Sequence, residues 1–181
     1  MNLSKTLHLT AAILALLTLI LYAFFRLFPN SVLEALAITA GTFFYHFAMR
    51  LLVGALVPGL VPAGAEKGWW FREKRFEPGL YRALGVKTWK KRMPTYTPES
   101  FDLRKHTLAE IVYTSCVSEA VHEGIVVLSF VPVLTIPVFG AAGVFWATSV
   151  LAALFDGCFV VMQRFNRPRF LRILEKERAR Q

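Results

Sequence analysis

Three ionisable residues lie close together in the third apolar stretch of the chain, in the order Glu119, His122 and Glu123. The short segment 118–124 that holds them runs directly into the apolar residues 125–130. Residues three and four positions apart share one side of a helix, so these side chains are expected to face the same way. An ionisable group at membrane depth is costly and marks a functional site unless it can reach water.

The residue types suit general acid–base catalysis. The unperturbed pKa of histidine, about 6.5, lies near working pH, which makes His122 the best candidate for a general base. Glu119, one helical turn earlier, would orient the imidazole and stabilise its charged form, and Glu123 is the other candidate partner. The alternative interpretation is that all three are interfacial charges, which snorkel to headgroup water at the mouth of a helix.

The composition indicates the kind of protein that must position these residues. The chain has 181 residues, is 55% hydrophobic and has a mean hydropathy of +0.48, whereas a soluble domain is usually about 45–50% apolar. We predict an all-α integral membrane protein, a single membrane domain over residues 1–181. Its four transmembrane helices are expected at about residues 7–28, 32–57, 111–139 and 144–163. The first is expected to be a retained helix rather than a cleaved signal peptide.

The distribution of basic residues predicts on which side of the membrane the connecting segments lie. The net charge is +9, and the 21 basic residues concentrate in a segment at 58–110, which holds 11, and a tail at 164–181, which holds 7. The positive-inside rule then puts the N-terminus, the interfacial 58–110 segment and the basic C-terminal helix in the cytoplasm. We expect a multi-pass protein of a bacterial inner membrane. Its partners would be membrane lipids, through anionic headgroups at the cytoplasmic face, and not nucleic acid.

This orientation brings the polar residues of several spans to one depth. His46 and Arg50 in the second span, the Glu119 to Glu123 group in the third and Asp156 in the fourth all fall in the cytoplasmic half. We predict that they meet in a partly hydrated cleft facing the inner leaflet, where Glu123 or Asp156 would pair with Arg50. His46 and Arg50 could instead form only a buried polar contact that fixes helix packing.

Several kinds of chemistry have no sequence signature in the chain. There is no serine nucleophile elbow, glycine-rich phosphate loop or zinc helix motif. Cys116 and Cys158 lack metal-binding spacing, so no metal site and no cofactor are expected. These observations favour direct transfer, in which a histidine deprotonates an acceptor hydroxyl, over a covalent enzyme intermediate.

Three patches of the sequence resemble the glycosyl-4,4'-diaponeurosporenoate acyltransferases, small membrane enzymes that finish staphyloxanthin-type carotenoids. They are Phe76-Glu77 with Gly79, Val86 and Trp89-Lys90; Glu119-x-x-His122; and the run Gln163-Arg164-Phe165-Asn166-Arg167-Pro168-Arg169. The resemblance implies transfer of a fatty acyl group to a sugar hydroxyl of a lipid glycoside. It also implies that Glu119 and His122 are catalytic, and that Arg164, Asn166 and Arg167 bind an anionic donor or hold the inner-face fold.

Together these arguments predict two groups of site residues. The catalytic residues would be His122, Glu119 and Glu123. The substrate-binding residues would be His46, Arg50, Arg75, Glu77, Trp89, Lys90, Asp156, Arg164, Asn166 and Arg167. The substrates would be an acyl donor, such as acyl-CoA or an acyl lipid, and a lipid-glycoside acceptor.

Other functions fit parts of the sequence. His46 and His122 at matched depth could ligate a haem in a four-helix membrane electron carrier. A membrane methyltransferase is a further possibility, although Asn166 stands where such enzymes carry a histidine in an Arg-His-Pro pattern. A non-catalytic membrane scaffold fits the composition equally well.

Overall fold

The chain is helical almost throughout the parts described by the computed structural model, which are residues 3–94 and 98–180. Seven α-helices occur there, and no β-strand. They are α1 Leu3–Leu27, α2 Ser31–Leu56, α3 Glu77–Ala83, α4 Val86–Trp89, α5 Leu108–Leu128, α6 Ile136–Phe139 and α7 Ala142–Arg178. Short 3-10 helices at Val57–Leu60, Ala65–Lys67, Lys90–Arg92, Pro98–Phe101 and Val131–Thr135 connect them.

The predicted all-α membrane architecture is confirmed. Four stretches are long and apolar enough to cross a membrane: Ser4–Leu27, Ser31–Leu60, Leu108–Phe139 and Ala142–Arg178. Large apolar side chains along the first stretch, among them Leu9, Leu16 and Leu19, are exposed. Such a surface suits contact with lipid tails, because a soluble protein rarely leaves so large an apolar patch uncovered.

By internal contacts the chain divides into two compact units. The first consists of Met1–Ala55 and Gly124–Phe155, and the second of Leu56–Glu123 and Asp156–Gln181. In the first unit, Asn30 caps α2, since its side-chain oxygen accepts hydrogen bonds from the backbone of Val32 and Leu33 at 3.1 and 2.9 Å.

Close helix packing is also visible in the first unit. A Cβ at Gly41 of α2 would lie 3.4 Å from the Thr18 side chain of α1, so the two helices approach closely there. The hydroxyl of Tyr45 on α2 donates a hydrogen bond to the backbone oxygen of Leu128 at 2.8 Å. That oxygen is at the end of α5, where the helix leaves carbonyl groups without intrahelical partners.

The third span consists of several helical segments. The helix α5 ends at Leu128, and the 3-10 helix Val131–Thr135 and then α6 continue the span to Phe139. Pro132 and Pro137 each lie in the first turn of one of these short helices. Proline is tolerated at such positions, because the first turn needs no backbone donor.

The fourth span and the basic tail form one helix. The helix α7 has 37 residues and passes through Pro168 without ending, so the tail predicted to be helical continues the span directly. At 1.5 Å per residue it is about 55 Å long, far more than the roughly 30 Å of a hydrocarbon core. Its basic C-terminal part therefore extends beyond the membrane interior.

The second unit contains the central polar segment together with the first part of α5 and the last part of α7. Its core includes Val86, Ile111, Val112 and Cys116, all almost completely buried. The left-handed backbone of Gly85, with φ of 60°, makes the turn between α3 and α4, a conformation that glycine adopts without strain.

Candidate active site

His122 on α5 contacts two residues of α7. Its Nδ1 lies 2.9 Å from an Asp156 carboxylate oxygen. Its ring stacks on that of Phe159, with centroids 4.5 Å apart and planes inclined by 7°. Asp156 and Phe159 are three positions apart, so one face of α7 supplies both contacts. The position of the imidazole is thus fixed by Asp156, and its ring plane is kept nearly parallel to the Phe159 ring.

The contact with Asp156 determines which ring nitrogen is available for chemistry. A carboxylate accepts hydrogen bonds, so in the neutral imidazole Nδ1 carries the proton and Nε2 carries the lone pair. Within residues 3–94 and 98–180, Nε2 makes no hydrogen bond. The His122 side chain keeps 20% of its surface exposed, whereas Asp156 keeps 2%. A buried carboxylate thus orients one ring nitrogen and leaves the other unbonded among the described residues, which is a geometry that general-base catalysis can use.

Glu119 does not orient His122, so that prediction was wrong. One carboxylate oxygen of Glu119 accepts from Arg164 at 2.5 Å, and the other accepts from Arg167. Glu119 is completely buried and Arg167 nearly so. An i, i+3 relation on α5 put Glu119 and His122 on one side, but α7 supplies a different partner to each of them.

Arg164 connects Glu119 to a second buried carboxylate. Two of its nitrogens donate to the same oxygen of Glu77 in α3, at 3.0 and 2.5 Å. The Tyr81 hydroxyl donates to the other oxygen of Glu77 at 2.7 Å. We call Glu77, Glu119, Arg164 and Arg167 the buried ion network. It holds two carboxylates and two guanidinium groups, so its formal charges cancel.

The same two arginines fasten the central segment to α7. Arg164 donates to the backbone oxygens of Trp70 and Arg72 at 3.1 and 3.3 Å. Arg167 donates to the oxygen of Phe71, between them, at 2.9 Å. Three consecutive carbonyl groups thereby accept hydrogen bonds from side chains of one helix. Arg164 and Arg167 are therefore engaged within the fold, and so is Glu77.

The buried ion network predicts a pH dependence of stability through Tyr81. Burial, and then the hydrogen bond to Glu77, raises the pKa of the Tyr81 phenol above its ordinary value. In the unfolded chain a tyrosine ionises near about pH 10. Above that pH the unfolded state loses a proton that folded Tyr81 retains, so the stabilisation from Tyr81 is present at lower pH and is lost as the pH rises.

We therefore expect Tyr81→Phe to lower the free energy of unfolding by about 1.5 kcal/mol near neutral pH. The difference from the wild type should narrow when thermal unfolding is repeated at about pH 11. A difference that stays constant with pH would show that Tyr81 stabilises the protein by packing alone.

The remaining predicted residues of the second unit have varied surroundings. Glu123 accepts a hydrogen bond from the Trp70 indole at 2.8 Å. Lys90 donates to the side-chain oxygen of Asn166 at 2.5 Å. The indole nitrogen of Trp89 donates to a backbone oxygen of its own segment, that of Leu84. Arg75 is exposed.

His46 and Arg50 belong to the first unit. His46 is buried, at 4% exposure, and its backbone oxygen accepts a hydrogen bond from Arg50 at 3.0 Å. The Tyr45 ring meets the His46 ring edge-on. That these two residues join His122 in one cleft stays a prediction.

Three contacting residues were not predicted as part of the site. They are Phe159 under the His122 ring, Tyr81 on Glu77 and Trp70 on Glu123. Phe159 carried a usable signal, because it follows Asp156 by three positions on the same helix. For the part of the chain that the structure describes, no group of three or more His, Cys, Asp or Glu side chains is arranged to hold a metal ion.

Comparison with known proteins gives one match. A family model described as glycosyl-4,4'-diaponeurosporenoate acyltransferase matches residues 67–176. Neither the curated proteins nor the solved structures include a match. The matched range is well over half of the chain and contains every residue of the predicted site except His46 and Arg50.

Proposed function

Because the chain belongs to the glycosyl-4,4'-diaponeurosporenoate acyltransferase family and is an acyltransferase with four membrane-spanning helices, we propose a specific reaction for it. It moves a fatty acyl group onto a hydroxyl of a lipid glycoside at the inner leaflet, with His122 as general base. The family name favours a glycosylated carotenoid as the acceptor. The family also favours acyl transfer over the electron-carrier, methyltransferase and scaffold hypotheses.

The observation that carries this proposal is the 2.9 Å contact between Asp156 and His122 Nδ1. Because Nδ1 is bound to Asp156, the other ring nitrogen, Nε2, takes the proton of the acceptor hydroxyl. The hydroxyl oxygen attacks the acyl carbonyl carbon at the same time. The new ester bond forms, the bond from the carbonyl carbon to the donor breaks, and the imidazolium returns the proton to the leaving thiolate or alkoxide. The proton taken from the acceptor hydroxyl is thus returned to the leaving group, and the step as written consumes no metal ion or cofactor.

The surroundings of the His122–Asp156 pair, which we call the dyad, support chemistry on lipid substrates. The Phe159 ring covers one face of the imidazole, and an apolar neighbour limits access of water to the reacting acyl group.

In our proposal the termini are cytoplasmic, the partners are membrane lipids with anionic headgroups, and the location is the bacterial inner membrane. The charge asymmetry of the chain supports this orientation.

Asp156 is a positioning residue in this mechanism, and its replacement tests the proposal. Asp156→Asn retains the shape but loses the charged acceptor that selects the Nδ1–H tautomer. We expect kcat for acyl transfer to fall by at least about 100-fold, with little change in the KM of either substrate. The measurement is transfer of a radiolabelled acyl group to a glycosylated acceptor, by the purified protein in nanodiscs.

A matched control is Asp102→Asn, which removes a carboxylate that pairs with Arg104 in the segment before α5. It should leave kcat unchanged. If Asp156→Asn raises KM without lowering kcat, the dyad binds substrate and does not perform the chemistry.

A further inference from the structure

A basic groove lies beside the buried ion network and within the second unit. It encloses about 470 Å³ between the α3–α4 region and the C-terminal part of α7. Its lining includes four basic side chains, Arg82, Lys87, Arg169 and Arg172, and one carboxylate, Glu73. All five residues are exposed.

The basic residues of α7 fall into two classes. Arg164 and Arg167 are neutralised by Glu77 and Glu119. Arg169 and Arg172, a turn further on, form no ion pair with any residue in the described ranges, and neither do Arg82 and Lys87 across the groove. Two helical regions therefore present positive charge to the same space without a balancing partner of their own.

The pKa of the neighbouring Lys90 is consistent with the same excess of positive charge. Burial, together with repulsion from Arg169 and Lys91, lowers the pKa of its ammonium group. The Phe165 ring lies under the cations of both Lys90 and Arg169, at 4.6 and 4.3 Å from its centroid, which fixes them near one another at the edge of the groove. A group with several negative charges would relieve this repulsion.

The distance between His122 and the groove limits which anionic donor can reach both. Phe159 stacks on His122, and Arg169 and Arg172 follow it by ten and thirteen residues on the same helix. At 1.5 Å per residue they lie about 15–20 Å further along α7. In an acyl phospholipid only a glycerol separates the reactive ester from the phosphate. In an acyl-CoA the whole pantetheine arm separates the thioester from the phosphates.

From this geometry we propose that the groove of Arg82, Lys87, Arg169 and Arg172 binds the phosphates of a nucleotide thioester, the acyl-CoA donor, and that its pantetheine arm runs along α7 to His122. The proposal rests on the proposed function for its second half, the position of the thioester. Its first half, recognition of a nucleotide phosphate group, stands on the groove alone. The basic part of α7 lies beyond the hydrocarbon, where a water-soluble nucleotide can reach it.

The test replaces Lys87 and Arg172 by glutamine together. Among the described residues, the Lys87 side chain forms no hydrogen bond or ion pair, and the only hydrogen bond of the Arg172 side chain is to the backbone of its own helix, so the fold should persist. We expect KM for acyl-CoA to rise about tenfold or more, with kcat at saturating donor and KM for the acceptor unchanged. The control, Lys176→Gln with Arg178→Gln, removes equal charge from α7 outside the groove and should leave all three values unchanged.

Binding measured without turnover separates this proposal from the proposed function. In His122→Ala nanodiscs of phosphatidylcholine, coenzyme A should bind, adenosine 3′,5′-bisphosphate should compete, and the Lys87/Arg172 substitutions should weaken both. If coenzyme A binds in this way but neither acyl-CoA nor an acyl phospholipid supports transfer by the wild type, the groove stands and the proposed function fails. If transfer occurs but the substitutions leave donor KM and coenzyme A binding unchanged, the groove proposal is overturned.

A further binding measurement distinguishes the phosphates of a nucleotide from the phosphate of a lipid headgroup. If the Lys87/Arg172 substitutions instead weaken binding to phosphatidylglycerol bilayers and leave coenzyme A binding unchanged, the groove holds a lipid headgroup, and the proposal is again overturned.

Discussion

In the His122→Ala variant, acyl transfer is expected to fall by about 10²–10⁴-fold, the range that a positioned general base contributes. In the proposed mechanism, the reason is the Nε2 lone pair, which takes the proton of the acceptor hydroxyl while Nδ1 is held by Asp156. Without it the hydroxyl must attack while still protonated. The measurement is the single-turnover rate of ester formation at saturating donor and acceptor, which isolates the chemical step from binding and release.

A second histidine provides the control. His106 lies just before α5, is exposed, and is 3.7 Å from Glu110, so His106→Ala should transfer acyl groups at the wild-type rate. Both variants should elute from a size-exclusion column and unfold as the wild type does. Among the described residues, the contacts that His122→Ala removes are the ring contact with Phe159 and the bond to Asp156. A His122→Ala enzyme that folds and turns over normally would rule out the base assignment.

Hydropathy and charge were sufficient to predict the four spans, because the spans must bury their backbone polar groups in helices whatever their neighbours are. The length of α7 was foreseen only in part. Its apolar run ends near residue 163, and the sequence shows a proline at 168 that usually interrupts a helix. The side chains of Arg164 and Arg167, held by Glu77 and Glu119, fix the helical turn immediately before Pro168.

The pairing of the site residues could not be predicted in the same way. Positions three apart on a helix differ in direction by about 60°, since each residue turns about 100°. That difference lets Glu119 face the arginines of α7 while His122 faces Asp156. Which residue meets which depends on the register between α5 and α7, and no local pattern in either helix encodes it. Asp156 was therefore predicted in the site but with a different role.

The family resemblance had the same limit. It identified Glu119, His122 and the Gln163–Arg169 run as important, but importance to a family arises from catalysis and from folding alike. Here the structure places Glu119 among buried guanidinium groups and His122 against a carboxylate and an aromatic ring. The two residues can therefore be separated by experiment, although they are only three positions apart.

Glu119→Leu is expected to destabilise the protein by about 3–5 kcal/mol, because it leaves Arg167 buried without its carboxylate. Arg167→Met should be comparably harmful, since Glu119 would then keep only Arg164 and the buried ion network would carry a net negative charge. The double variant removes one charge of each sign. The pair of Arg164 and Glu77 remains and is balanced.

We expect the double variant to recover about 2–3 kcal/mol relative to the sum of the single losses, measured as a coupling free energy by thermal or denaturant unfolding in detergent. It should not recover fully, because Arg167 also donates to the backbone oxygens of Phe71 and Ser115. Activity decides the role of Glu119. If the residue stabilises the fold, acyl transfer returns along with stability. If Glu119 takes part in the chemistry, the double variant is folded and inactive, and the assignment of catalysis to His122 alone, positioned by Asp156, is wrong.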